Sequence, residues 1–252
     1  MAQIIAIANH KGGVGKTTTT ACVGGALSLL EGKRVLLVDL DAQANLTSFF
    51  VNTDIECCIY DALTGKAPLP IHKEVKPNLD IVPASLELAR AEVDLSARIA
   101  RERILATLLQ PYVEEYDYIL LDCPPSLGII TTNALVASSQ VFIPLTAEAL
   151  PLKGLKMLED IISEVQNTIN PALKIGGVII TRYNHRKLNK VIFEAISARY
   201  KDIVFKTKIR ENIIIAETPI RGGDIFEIAP ESNGAFDYRE LSREVIARLQ
   251  NR

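Results

Sequence analysis

Apolar residues in this chain fall into short, nearly unbroken runs, separated by stretches in which they recur every three or four positions. The runs I-I-A-I-A (4–8), V-L-L-V-D-L (35–40), L-D-I-V-P (79–83), Y-I-L-L-D (118–122), V-F-I-P-L (141–145), G-V-I-I-T (177–181) and I-V-F-K-T (203–207) predict strands. A strand with one wet face alternates apolar and polar residues. A run with few polar breaks predicts a strand covered on both faces, as in a parallel sheet between two layers of helices. The periodic stretches predict helices over 17–31, 86–109, 152–169, 190–200 and 238–250, the last with Asp237 as its N-cap. Strand–helix alternation with right-handed crossovers gives an α/β, doubly wound, mostly parallel sheet with helices on both faces. Ligands of such sheets bind beyond the carboxyl ends of the strands. Segments 46–78 and 208–236 show neither period and are read as surface loops and short helices. With no internal repeat, low-complexity tract or Gly/Ser linker, residues 1–252 are expected to form a single domain.

Composition narrows this picture only a little. At 48% hydrophobic and 23% charged residues, the chain is an ordinary globular one. A net charge of -2 excludes a nucleic-acid field spread over the whole molecule and leaves room for a local basic patch. The four cysteines, Cys22, Cys57, Cys58 and Cys123, form no C-x-x-C pair, so they are read as reduced thiols and not as zinc or iron–sulfur ligands. The start M-A-Q-I-I-A-I-A-N has no basic region and no long apolar core, and no run reaches the roughly 18 apolar residues of a membrane span. The expected location is cytoplasmic.

The chemistry lies at the predicted strand ends. The first strand leads into N-H-K-G-G-V-G-K-T-T-T-T (9–20) and then a helix. In the phosphate-loop pattern G-x-x-x-x-G-K-[ST], Gly15, Lys16 and Thr17 match the last three positions, but His10 stands where the first glycine belongs and a second lysine, Lys11, follows it. Successive backbone N–H groups over Gly12, Gly13, Val14, Gly15, Lys16 and Thr17 can wrap a phosphate, with Thr18 entering the helix. Lys16 would neutralise the β- and γ-phosphates and the Thr17 hydroxyl would ligate Mg²⁺. The second strand ends V-D-L-D, placing Asp39 and Asp41 where a metal ion and an attacking water would sit. The strand at 118–122 ends in Asp122, a further metal-side carboxylate, followed by the stiff pair Pro124-Pro125. These residues together predict a Mg-nucleotide hydrolase.

The motifs K-G-G-V-G-K-T-T (11–18), V-D-L-D-A-Q-A-N (38–45) and L-D-C-P-P-S-L-G (121–128) strongly resemble the ParA/Soj partition ATPases, within the ParA/MinD group of deviant phosphate-loop proteins (the SIMIBI type). The likeness runs over nearly the whole chain, including E-T-P-I-R-G-G (217–223). It implies ATP/ADP and Mg²⁺ as cofactors and three catalytic residues: Lys11, Lys16 and Asp41. Lys11 resembles the signature lysine that reaches phosphates bound by the other subunit of a homodimer. Asp41 resembles the aspartate that orients the hydrolytic water, while Thr17, Asp39 and Asp122 match the metal side. Asn45 falls in the first switch and Pro124 to Ser126 in the second. The adenine is expected near Thr181 and Arg182 and near the stretch I-R-E-N (209–212), where Arg210 replaces a common proline and Asn212 is retained. The ATP dimer of such proteins binds DNA without sequence preference, is nucleoid-associated, and is stimulated to hydrolyse by a ParB-type centromere-binding protein.

DNA contacts are expected from Arg186, Lys187, Lys190 and Arg221, with Arg182, Lys206, Lys208 and Arg210 as further basic candidates in the last third of the chain. The alternative is a MinD-like ATPase that uses a C-terminal amphipathic helix on a membrane. Leu241, Val245 and Leu249 make only a narrow stripe on the last helix, which is expected to pack on the core, so no membrane partner is expected.

Overall fold

The computed structural model describes residues 1–147, 152–184, 186–221 and 223–250, with the backbone alone for 152–153, 216 and 219–221. In chain order the elements are β1 (Gln3–Ile7), α1 (Lys16–Leu29), β2 (Val35–Asp39), α2 (Asn45–Phe50), α3 (Ile59–Leu63), β3 (His72–Lys76), β4 (Leu79–Val82) and α4 (Ala91–Asp94). They continue with α5 (Ile104–Leu109), β5 (Tyr118–Asp122), α6 (Ile129–Ala137), β6 (Gln140–Thr146), α7 (Leu152–Thr168), β7 (Lys174–Tyr183) and α8 (Lys187–Tyr200). The last are β8 (Val204–Arg210), α9 (Ile213–Arg221), α10 (Ile225–Ile228) and α11 (Asn233–Gln250). The strands form one sheet in the order β3-β4-β2-β5-β1-β6-β7-β8, parallel throughout except for the β3–β4 edge pair.

Successive side chains on a strand point to opposite faces, and here both faces are dry. Ile5 and Ile7 of β1, Val35 and Leu37 of β2, and Leu120 of β5 face a core closed by α1, α10 and α11. Ala6, Leu36, Val38, Ile119 and Leu121 face a second core shared with α3, α5, α6, α7 and α8. This is the double burial that the unbroken apolar runs imply.

Three expectations are corrected. The helix expected over 86–109 is broken into a short 3-10 turn at Leu86–Arg90, α4, another 3-10 turn at Arg101–Arg103, and α5. Leu88, Ala91, Leu95, Leu105 and Leu109 are the buried anchors, and the polar link between them turns through a left-handed Ala100 and leaves Ile99 98% exposed. The last helix starts at Asn233, not after Asp237. Ser232 Oγ accepts from the Ala235 N–H at 3.2 Å in that first turn, and Asp237 is spent on Arg210 instead. The segment 46–78 supplies α2, α3 and the edge strand β3, whose residues His72–Lys76 have too little apolar content to signal a strand.

β1 lies between β5 and β6, so the chain leaves β1 at the point where the sheet order reverses. The loop after β1 and the ends of β2, β5, β7 and β8 therefore converge on one crevice.

Candidate functional site

The loop between β1 and α1 is shaped by two glycines that only a residue without Cβ fills freely. Gly13 and Gly15 have φ of 71° and 86°, in the left-handed region. Gly15 then starts α1 without any side-chain cap, and the first turn of α1 carries no acidic residue. The first N–H groups of the helix are thus left open to an anion at the positive end of the helix dipole. Thr181, at the end of β7, donates to the Val14 and Leu145 carbonyls at 2.8 and 3.2 Å and props the loop from below.

The two lysines of the loop are placed differently. Lys16 is 8% exposed, lines the crevice, and reaches back to the Lys11 carbonyl at 3.4 Å. Burial lowers its pKa, an effect opposed first by the neighbouring Asp122 carboxyl and also by Asp41. Lys11 is exposed, with its backbone N–H held by Asn9 Oδ1 at 2.9 Å, and its side chain is not part of the crevice wall. His10 packs against Gly154 of α7, so the departure from the phosphate-loop pattern lies at the strand exit, outside the cradle.

Three carboxylates close the other side. Asp39 and Asp122 end neighbouring strands in the same register and are both fully buried. Burial pushes both carboxyls up, Asp122 furthest because Asp39 also faces it; the Thr17 hydroxyl and Lys16 pull Asp122 partly back. Asp122 Oδ1 accepts from the Thr20 hydroxyl at 3.4 Å, whereas its Oδ2 is buried with no hydrogen-bond partner. An orphaned carboxylate oxygen beside the Thr17 hydroxyl fits a divalent cation, because oxygen donors without competing protons are what Mg²⁺ takes. Asp39 is engaged elsewhere. Its Oδ2 accepts from the Thr47 N–H at 2.8 Å and the Thr47 hydroxyl at 2.7 Å, and its Oδ1 from the Asp41 N–H at 3.1 Å. Its oxygens hold the start of α2, so Asp39 stands on the expected metal side with both oxygens already accepting hydrogen bonds. Asp41 is half-buried and lines the crevice with Gln43, Asn45 and Pro125.

The crevice is about 740 Å³ and runs from Gly12, Gly13, Gly15, Lys16, Thr17 and Thr18 to Thr181, Arg182 and the stretch Ile209–Asn212, with Ile213, Ile215 and Tyr238. That volume suits a nucleotide. Arg182 is half-exposed at φ 50° and lies 3.9 Å from Glu211. Asn212 Oδ1 accepts from the Ile214 N–H at 2.9 Å, so it orders the start of α9 as well as lining the crevice. Thr47, Glu211 and Asp237 were not legible as site residues. Each acts through a partner that only the fold brings near.

Of the basic candidates, Arg186, Lys187 and Lys190 are exposed together at the start of α8. Lys208 is not part of that surface: its Nζ lies 3.5 Å from the Phe193 ring centroid and 4.6 Å from that of Tyr183, and burial lowers its pKa. Arg210 is bound to Asp237. The Arg221 side chain lies outside the described residues. Among the described residues no helix is long and apolar enough to cross a membrane, and Leu241 and Val245 of α11 are buried in the core.

A family model described as an AAA domain matches residues 2–175. The chain is 43% identical to the sporulation initiation inhibitor protein Soj of Bacillus subtilis, over 98% of this chain and 99% of that one. It is 40% identical to the chromosome-partitioning ATPase Soj of Treponema pallidum, over 98% of each. Among solved structures, cobyrinic acid a,c-diamide synthase of Mycobacterium smegmatis with bound ADP and magnesium superposes with a TM-score of 0.86 at 32% identity, covering 99% of this chain and 96% of that one. The septum site-determining protein MinD of Pyrococcus horikoshii, complexed with Mg-ADP, superposes with a TM-score of 0.79 at 27% identity, covering 97% and 96%. With a phosphate loop, an orphaned metal-side carboxylate and near-complete likeness to these relatives, the chain belongs to the Soj/ParA family of partitioning ATPases.

Proposed function

We propose that the protein is a Mg-ATP-dependent ATPase that forms a homodimer with ATP, binds DNA without sequence preference in that state, and acts in DNA segregation with a ParB-type partner that stimulates hydrolysis. The observation that carries this reading is the split between the two loop lysines. Lys16 is buried in the crevice, and Lys11 stands exposed outside it although only five residues away. A cation placed there serves a phosphate held by a second copy of the chain better than its own. On this reading Lys16 neutralises the transferred phosphoryl, Thr17 and Asp122 hold Mg²⁺, Asp41 orients the water, and Asp39 holds the switch helix α2. Mg²⁺ supplies charge neutralisation between the phosphates.

DNA binding is supported by charges that oppose the helix they sit on. Arg186, Lys187 and Lys190 crowd the N-terminus of α8, where no acidic residue occupies the first turn. The helix dipole makes that end positive, so each cation there costs a few tenths of a kcal/mol. Stability alone favours acids at this place, and phosphates of a nucleic acid would offset the cost. The patch begins just beyond Arg182 on the strand that walls the nucleotide crevice, so nucleotide state and patch share one element. The burial of Leu241 and Val245 speaks against a membrane-seeking α11.

The test is binding of a non-specific duplex, or of lipid vesicles, with and without Mg-ATP. DNA binding only with ATP, falling roughly a thousandfold between about 50 and 200 mM salt for a dimer engaging six phosphates, supports the reading. Arg186→Glu is expected to weaken it while dimerisation stays intact. Vesicle binding without DNA binding would favour a MinD-like positioning ATPase and refute the partition reading.

A further inference from the structure

β5 ends in Asp122, and the next element, α6, starts at Ile129. Residues 123–128 between them reach the nucleotide crevice through Pro125. The segment is short and carries the stiff pair Pro124-Pro125, so its course is set by how its two ends are held. One end is fixed by β5, which pairs with β1 and β2 as far as Asp122. The other end is the first turn of α6. Thr131 in that turn donates to the Ser126 carbonyl at 2.6 Å, so a shift of the turn carries the residue beside Pro125 with it.

The turn has no cap of its own. Gly128 at the N-cap offers no side chain, and the first turn holds no acidic residue. The missing acid comes from another element. Glu92 of α4 accepts from the Ile129 N–H at 3.1 Å through its Oε2. A carboxylate there also meets the positive end of the α6 dipole. Ala91 and Leu95, on either side of Glu92 in α4 and just after it, are fully buried, so Glu92 projects from a fixed base. Asn133 adds a second tie between the same regions. Its Nδ2 donates to the Arg101 carbonyl at 2.8 Å and to the Ile129 carbonyl at 2.9 Å, and its Oδ1 accepts from the Leu105 N–H at 3.0 Å.

Position 128 is matched to the Glu92 contact. Its φ of -90° suits any residue, so the backbone does not call for glycine. Space does. A Cβ at position 128 would overlap the Glu92 carboxyl group, whose atoms are its nearest neighbours. An alanine there would expel that carboxyl group and leave the backbone in place, because the group is the far end of a flexible chain.

We propose that Glu92 is a positioning residue for the nucleotide site: a latch from α4 that fixes the α6 end of segment 123–128 and so holds the Pro125 wall of the crevice. It acts through Ile129 and touches no nucleotide. A wall displaced by about an ångström lowers the fraction of bound nucleotide in reactive geometry. The phosphate cradle, residues 12–18, belongs to other elements, so binding stays while turnover falls. The kinetic consequence rests on the ATPase reading above.

The experiment compares wild type, Glu92→Ala, Gly128→Ala, the double variant and Glu92→Gln. Turnover and KM for Mg-ATP are measured per mole of bound fluorescent ADP analogue, so a misfolded fraction cancels. Amide hydrogen exchange at Ile129 is followed in the nucleotide-free proteins. Glu92→Ala is expected to lower kcat roughly three- to tenfold, the factor of one net hydrogen bond, with KM within about twofold and Ile129 exchange faster by a similar factor. Gly128→Ala should reproduce these effects. The double variant should be no worse than Glu92→Ala, because the new Cβ then has no carboxylate to expel. Glu92→Gln keeps an oxygen acceptor and should recover at least half of the loss. A kcat that falls less than about threefold in Glu92→Ala, losses that add in the double variant, or glutamine no better than alanine would overturn the proposal. A cap that serves only stability lowers the melting temperature and leaves kcat per binding-competent molecule unchanged, which overturns it too. Absence of ATP hydrolysis in wild type would sink the ATPase reading, and the exchange cycle would then decide whether the latch exists. ATP hydrolysis with an unmoved kcat sinks only the latch.

Discussion

Replacing Thr47 by valine should damage the protein more than any change of volume explains. Valine matches threonine in shape, so the 4% exposed site opens no cavity. What goes is a hydroxyl with two jobs: it donates to Asp39 Oδ2 at 2.7 Å and accepts from the Ala84 N–H at 2.9 Å. A hydrogen bond to a charged acceptor is worth about 1.5–3 kcal/mol, and a buried N–H left without a partner costs about 1–3 kcal/mol. The sum is about 2.5–6 kcal/mol, or a fall in melting temperature of roughly 5–24 °C for a chain of this length. The loss should also depend on pH. Burial pushes the Asp39 carboxyl up to about 6, against the pull of the two Thr47 bonds first and of the Asp41 N–H after them. The folded state therefore holds a proton that the unfolded chain, titrating near 4, has released. Stability falls as pH rises from about 4 through the folded value, by about 3 kcal/mol for two units. Without the Thr47 hydroxyl the folded carboxyl moves higher still, so the deficit should be larger at pH 8 than at pH 5. Thermal melts of wild type, Thr47→Val and Thr47→Ser at both pH values make the assay, with serine restoring most of the loss. A Thr47→Val melt within about 1 °C of wild type at pH 8, or a deficit greater at pH 5, would refute the reasoning.

The other predictions concern the crevice. Asp122→Asn removes a buried carboxyl pushed up by burial and by Asp39, whose penalty grows as pH rises above the unfolded value of about 4, so the nucleotide-free protein should melt higher than wild type at pH 8 and gain less at pH 5; a lower melt at pH 8 counts against it. The same variant should lose the Mg²⁺ dependence of nucleotide binding measured by calorimetry. Lys16→Ala is expected to abolish Mg-ATP binding, and normal binding would overturn the assignment of the loop. Asp41→Ala should bind ATP but turn it over about 100-fold or more slowly, and unchanged turnover would remove it from the water-positioning role.

Local chemistry was legible in the sequence and long-range chemistry was not. Asp39 and Asp122 end apolar runs, Asp41 follows one two residues on, and Lys16 and Thr17 close the glycine-rich loop that follows another; a strand that ends in an aspartate already says where that aspartate goes. The parallel sheet followed from the same runs, because double burial leaves its mark in every residue of a strand. Thr47 and Ala84 are 37 residues apart and meet only because β4 pairs with β2. Asp237 reads as a helix cap by local rules, yet the pairing of α11 with β8 turns it toward Arg210, 27 residues earlier. Asp39 shows the limit most clearly. Its position at the end of β2 was readable, but its hydrogen bonds to Thr47 depend on where α2 folds back. The expected long helix at 86–109 failed for a related reason: its apolar spacing records buried anchors, and a left-handed Ala100 between them carries no sequence mark.

The central claim is that nucleotide and dimer state are read together through Lys11. Sedimentation of Asp41→Ala with Mg-ATP, beside the double variant Asp41→Ala with Lys11→Ala, tests it most directly, with binding of a non-specific duplex followed in the same samples. The single variant should sediment as a dimer and bind DNA, and the double variant should bind ATP yet remain monomeric and free of DNA. A dimer that persists without the Lys11 side chain, or DNA binding by the ATP-bound monomer, would contradict the account.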